Sequence, residues 1–230
     1  MNGPCPFDLC DGSGFIVDEA TNTAAPCRCR AQRIGRARAR SLAGVIPRRY
    51  RGVGFDRPPV TEIDHDVVRE VRRYVEDIDA QLDEGRGLWF MGDVGTGKTT
   101  LAMIVASAAL DAGRAVAIYS LPRLLAQIRA TYDDGAPGTD IELLDRLQQV
   151  DLLHIDDVGA EKTSPWVLEQ LYSIVNARYE GGRAIVITTN LDHEQLREQI
   201  GARTVSRLVE MCGDPLPLFG DDRRMQPRSA

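Results

Sequence analysis

From residue 62 onward the chain switches between two hydrophobic periods. Ile63, Val67, Val68, Val71, Tyr74, Val75, Ile78 and Leu82 recur at steps of three and four, which predicts a helix over 62–82. Thr61 and Asp64 have the spacing of a capping box at its start, and Gly85 and Gly87 stop it. The run Leu-Trp-Phe-Met-Gly over 88–92 is too short for a helix and predicts a buried strand. Helical spacing returns over 100–113, 121–132, 141–150 and 166–181. Short apolar runs over 115–120, 151–157 and 183–190 predict strands, and 133–139 is a turn-rich loop. Unbroken apolar strands alternating with helices predict an α/β fold, a parallel sheet with helices on both faces.

The turn after the strand at 88–92 reads Gly92, Asp93, Val94, Gly95, Thr96, Gly97, Lys98, Thr99, Thr100. It is a G-x4-G-K-[ST] phosphate-binding loop, placed between strand and helix as that motif requires. Its glycines let backbone N–H groups turn inward around phosphate oxygens, and the helix start adds its dipole. Lys98 is expected to reach the β- and γ-phosphates, and Thr99 to offer its hydroxyl to Mg²⁺. Only two of the 28 basic residues are lysines, Lys98 and Lys162, and the other 26 are arginines. Against that bias, a lysine stands where a compact ammonium must fit between phosphates. The strand at 151–157 ends in Asp156 and Asp157, 58 residues after Lys98. An acidic pair there is the second element of such a site. Asp156 is expected to hold Mg²⁺, and Asp157 to orient or deprotonate the attacking water. His154, inside the strand, is expected to be a packed or partner-facing residue and not a ligand.

Composition sets the outer limits. With 43% hydrophobic and 27% charged residues the chain is not a disordered one. No apolar run approaches the roughly 18–20 residues that span a bilayer. The first residues show no secretory pattern, so a cytoplasmic, reducing setting is expected. Five cysteines there point to metal, nucleophile or core roles and not to disulfides. The net charge of -6 averages unlike segments: residues 1–27 hold four acids and no Lys or Arg, while residues 28–51 hold nine arginines and no acid. In the first segment, Cys5 and Cys10 form C-x4-C and Cys27 and Cys29 form C-x-C, with Gly12 and Gly14 between. Four thiolates so spaced predict a closed, structural Zn²⁺ site in a module too small to fold alone. Phe15, Ile16 and Val17 are expected to form a short strand leading to a turn at Thr21 and Asn22. Residues 30–42 are expected to be helical and to contact phosphates or an acidic partner. The expected divisions are a zinc-binding head over 1–30, an Arg-rich connector over 31–60 and a nucleotide-binding domain over 61–230.

Taken in order, six segments resemble the AAA+ ATPases of the DnaC/IstB type, which include bacterial and phage replicative-helicase loaders. They are IPRRYRGVGF (46–55), GDVGTGKTT (92–100), LLHIDDVGAEK (152–162), ITTN (187–190), RTVSRLVEMC (203–212) and FGDDRR (219–224). The resemblance covers residues 45–224. It implies a P-loop AAA+ three-layer sandwich that uses ATP and Mg²⁺. By the same resemblance Asn190 is the sensor that polarises the attacking water. Arg207 is the arginine finger that reaches a neighbouring subunit's nucleotide, with Arg203 a weaker competitor, and Arg224 is the second sensor. A planar, always-ionised guanidinium suits such work on a transferring phosphoryl group. The six residues after Arg224 are too few for a C-terminal helical lid, so nucleotide binding is expected to draw on a neighbour. Two helices between Ser120 and Asp151 fit the extra helix that faces single-stranded DNA in loaders and related initiators, with Arg123 and Arg129 as contacts. The four-cysteine module resembles the zinc-binding head of some loaders.

The expected function is therefore an ATP-hydrolysing helicase loader. It is expected to self-associate with its finger in trans, assemble on single-stranded DNA and deliver a replicative helicase, with no membrane involved. An alternative is an IstB-like transposition helper that binds duplex DNA and a transposase, against which the cysteine head argues. A third reading is a nucleotide-gated adaptor with little hydrolysis. The joint presence of Asp157, Asn190 and Arg207 argues against it.

Overall fold

A computed structural model of the chain describes residues 5–18, 23–30, 46–133, 139–160 and 162–222. Near the N-terminus β1 (Phe15–Asp18) pairs antiparallel with β2 (Thr23–Pro26). The main sheet contains β3 (Leu88–Gly92), β4 (Val116–Ser120), β5 (Leu152–Asp156), β6 (Ala184–Thr189) and β7 (Leu216–Leu218). Its order is β4-β5-β6-β3-β7, and every pairing is parallel. The expected strands at 88–92, 115–120, 151–157 and 183–190 are thus present within a residue or so at each end.

The sheet is buried on both faces, which is why its strands read as unbroken apolar runs. Phe90, Leu152 and Val186 face one core, shared with α1 (His65–Glu76), α2 (Ile78–Asp83) and α3 (Lys98–Asp111). Trp89, Leu153, Ile155 and Ile187 face the other. That core is closed by α4 (Leu121–Asp133), α5 (Thr139–Gln149), α6 (Pro165–Glu180), α7 (His193–Ile200) and α8 (Ala202–Cys212). The result is the three-layer P-loop AAA+ sandwich. Among the described residues no helix is long and apolar enough to cross a membrane.

Two details differ from the spacing pattern. The helix expected over 62–82 is broken at Asp77, whose φ of -108° and ψ of 27° lie outside helical values. Its start is capped by Asp64 alone, whose carboxylate accepts from the backbone N–H groups of Asp66 at 2.8 Å and Val67 at 3.4 Å. Thr61 belongs instead to a 3-10 turn over Val60–Glu62. The arginine-rich segment 31–45 and the turn at Thr21 and Asn22 lie outside the described residues.

A candidate nucleotide site and a four-cysteine cluster

The order of the sheet brings the C-terminal ends of β5, β6 and β3 side by side. The chain leaves β3 at Gly92, with φ 137° and so little room that a Cβ would collide with the Leu218 carbonyl oxygen of β7. Only glycine fits there. Gly97, φ 110°, caps α3 from the left-handed region, and a Cβ on it would strike the Ile63 side chain. Between these points the loop closes on Lys98. Its buried ammonium donates to the Gly92 carbonyl at 2.7 Å and to the Asp93 carbonyl. The Thr96 hydroxyl donates to the same Asp93 carbonyl at 2.8 Å. Behind the loop, α3 presents its N-terminus. The segment after β7 also touches the loop: the Gly220 N–H donates to Asp93 Oδ2 at 3.0 Å, and Asp222 lies against Gly95.

Beside the loop runs a chain of hydrogen bonds. The Thr99 hydroxyl donates to Asp156 Oδ1 at 2.9 Å, and the Thr188 hydroxyl donates to the same oxygen at 2.8 Å. The Asp157 N–H donates to Thr188 Oγ1 at 2.9 Å. Asn190 Nδ2 donates to Asp157 Oδ1 at 3.0 Å. Asp157 itself holds φ 61°, a left-handed value uncommon for a non-glycine residue. Burial opposes the charged form of Asp156. The facing His154 imidazole, whose Nε2 lies 3.6 Å away, and the two threonine hydroxyls outweigh it and hold the carboxyl below the usual carboxylate range. That separation is longer than a hydrogen bond. His154 is fully buried, as expected for a packed residue. The spacing of the sequence missed Thr188. Its one signal was parity: Thr188 and Asn190, two apart on a strand course, point to the same side.

The four cysteines also converge. Their sulfurs all lie within 4.8 Å of one another, with Cys5 and Cys27 at 3.8 Å and Cys10 and Cys29 at 3.6 Å. A tetrahedral zinc with bonds of about 2.3 Å has sulfur–sulfur edges of about 3.8 Å. Burial raises the Cys5 thiol, but backbone amides of Leu9, Phe7 and Cys10 outweigh it and draw the thiol down to about 6. Cys29 is pushed up to about 12 by burial and by its three thiol neighbours. A central dication relieves that repulsion, so the donor set fits the metal.

The profile of the family described as IstB-like ATP binding protein matches residues 60–214. The chain belongs to this family. Among proteins similar to it is the replicative helicase loader DnaC of Buchnera aphidicola subsp. Schizaphis graminum, 28% identical over 151 residues. That alignment covers 64% of this chain and 60% of the relative. DnaC of Escherichia coli strain K12 is 28% identical over 139 residues, covering 60% and 55%. The chain therefore spans about three fifths of the length of these relatives. A crystal structure of the DnaC helicase loader aligns with a TM-score of 0.62 at 26% identity, over 75% of this chain and 99% of that one. The replication initiator DnaA bound to AMPPCP and single-stranded DNA shares the fold, with a TM-score of 0.60 at 21% identity over 77% of this chain and 52% of that one.

The arginines singled out by resemblance to the IstB-like family lie elsewhere. Arg207, midway along α8, has its guanidinium 4.0 Å above the ring of Tyr179 on α6. Arg203 is exposed in the first turn of α8, and Arg224 lies outside the described residues. Arg123 and Arg129 are both exposed on α4, and Arg129 sits 4.7 Å over the ring of Trp166, the second residue of α6. That aromatic partner was not singled out in the sequence.

Proposed function

We propose that this IstB-like chain is an ATP-hydrolysing helicase loader of DNA replication that works in the cytoplasm. The observation that carries the ATPase reading is the continuous linkage Thr99–Asp156–Thr188–Asp157–Asn190 beside a loop closed on Lys98. The loop amides and Lys98 bind the triphosphate. Thr99 and Asp156 hold Mg²⁺, whose charge offsets that on the phosphate oxygens. Asp157 takes the proton of the attacking water, and Asn190 fixes Asp157 and reaches toward the γ-phosphate. Arg207 of a neighbouring subunit stabilises the transferring phosphoryl group, and Arg224 serves as the second sensor.

The loader reading is supported by the DnaC relatives over the ATPase region. The head, residues 1–30, closes on one structural Zn²⁺ through Cys5, Cys10, Cys27 and Cys29. It leaves Phe7, Leu9, Ile16 and Val17 exposed, an apolar set suited to docking on a replicative helicase. The body, residues 61–230, self-associates on single-stranded DNA, with Arg123, Arg129 and Trp166 along the strand's path.

The experiment is capture of the host replicative helicase by the tagged chain, with and without ATP, beside a Lys98→Ala variant. Wild type should retain the helicase, and ATP should change the amount retained. Lys98→Ala should bind no ATP and lose that response. Unaltered nucleotide affinity in Lys98→Ala would remove the nucleotide assignment. Capture of a transposase and no helicase would turn the reading to a transposition helper.

A further inference from the structure

Arg207 is held by more than one neighbour. Its guanidinium carbon lies over the Tyr179 ring, 4.0 Å from the centroid, and its Nη1 donates to Glu210 Oε1 at 3.3 Å. The Tyr179 hydroxyl donates to the other oxygen of the same carboxylate, Glu210 Oε2, at 2.7 Å. The three side chains thus close a ring: a cation–π contact, together with an ion pair and a hydrogen bond that share the Glu210 carboxylate. An Arg–Glu pair three residues apart on an exposed helix is by itself worth little. Here the third member comes from another helix, 28 residues away in sequence, and its ring packs on the main core.

The platform is itself anchored. The residue before Tyr179 is Arg178, fully buried. It donates to the carbonyls of Leu147 at 2.5 Å, Val150 at 3.0 Å, Asp151 at 3.2 Å and Ala184 at 2.5 Å. These bonds fix the end of α6 to the end of α5 and to the starts of β5 and β6. Tyr179 is therefore part of the rigid frame.

Position along the sheet matters as well. Tyr179 and Glu210 border a cleft lined by Gly85, Arg86, Gly182 and Arg183, all ahead of β3 or β6. Asn190 follows the other end of β6. Six strand residues span about 20 Å, so the Tyr179–Glu210 pair lies about one strand length from Asn190 of its own chain, a placement that suits the proposed action of Arg207 in trans.

We infer that Tyr179 and Glu210 are positioning residues for Arg207: they fix the plane and direction of its guanidinium in the free subunit, so that assembly delivers a finger already aimed. The physical reason is entropic. An arginine side chain has many rotamers to lose, and a planar fork already fixed loses fewer when it meets its target. Positioning errors of about 1 Å at a reacting centre cost on the order of 100-fold in rate. The inference rests on Arg207 acting as a finger in trans.

The test uses full-length chains and steady-state ATP hydrolysis. Tyr179→Leu should lower kcat on the order of 10- to 100-fold while KM for ATP stays put. Tyr179→Phe keeps the ring face and should retain most of the rate. Asp157→Asn subunits bind ATP, hydrolyse none and carry an intact Tyr179–Arg207–Glu210 ring. Added to Tyr179→Leu subunits, they should restore hydrolysis at the Tyr179→Leu sites, because the finger comes from the neighbour. A defect that Asp157→Asn subunits do not relieve would place the role of Tyr179 within its own fold and overturn the inference. So would normal hydrolysis by Tyr179→Leu when Arg207→Ala is inactive. Normal hydrolysis by Arg207→Ala would instead remove the finger assignment and the inference with it.

Discussion

Thr188 makes two contacts that neither neighbouring strand could make alone. Its hydroxyl donates to the Asp156 carboxylate and accepts from the Asp157 N–H, so one side chain of β6 fixes both acids at the end of β5. Alanine removes both bonds. Outer partners of a metal-binding carboxylate affect affinity or rate by roughly 10–100-fold. Thr188→Ala should therefore raise the Mg²⁺ concentration needed for half-maximal hydrolysis and lower turnover by that order, and Thr188→Ser should recover both. A Mg²⁺ titration of ATPase activity reads this directly, and an unchanged requirement in Thr188→Ala would show that Thr99 alone sets Asp156. The contrast with its neighbours shows what residue patterns carry. Lys98, Thr99 and the acidic pair stood out because their types are improbable where they stand. A threonine in a strand is ordinary, and only the register of β5 on β6 turns it into a positioning group.

At the scale of elements, periodicity carried most of the fold. β5 and β6 were legible because both faces are buried, which leaves an apolar run without alternation. It did not reveal α7, α8 or β7. One residue, Gly201, separates the two helices, and α7 buries only Leu196 and Ile200 within eight residues. β7 has three residues and holds its place through β3. The N-terminal module was legible for a different reason: its four cysteines stand out by type and spacing, and their sulfurs converge. Its strands β1 and β2 are almost entirely exposed. Chelation of the purified chain should therefore release about one zinc per molecule and open residues 5–30 to protease, while the melting of the body stays in place. Thiolates compete with protons for the metal, so release should become easier as pH falls. A head that resists protease after the metal has gone would mean that the hairpin folds without it.

At the scale of the molecule, the proposed finger in trans would make hydrolysis a property of an assembly. The phosphate loop, Thr99, Asp156 and Asp157 lie together at the C-terminal ends of β3 and β5, while Arg207 is held on α8 against Tyr179 of α6. Turnover per molecule should accordingly rise with protein concentration. Single-stranded DNA should lower the concentration required, because a strand lying along several subunits raises their effective concentration. Arg129 over Trp166 is the arrangement suited to that contact: a cation for the backbone and an aromatic face for a base, on two helices packed on the same face of the sheet. Replacing both by alanine touches nothing at the phosphate loop. Arg129→Ala with Trp166→Ala should keep the rate reached at high protein concentration and lose the stimulation by single-stranded DNA, with that stimulation falling as salt rises in the wild type. Stimulation by duplex and not by single strands would favour the transposition helper. Full stimulation of the double variant by single strands would move the DNA path away from α4 and α6.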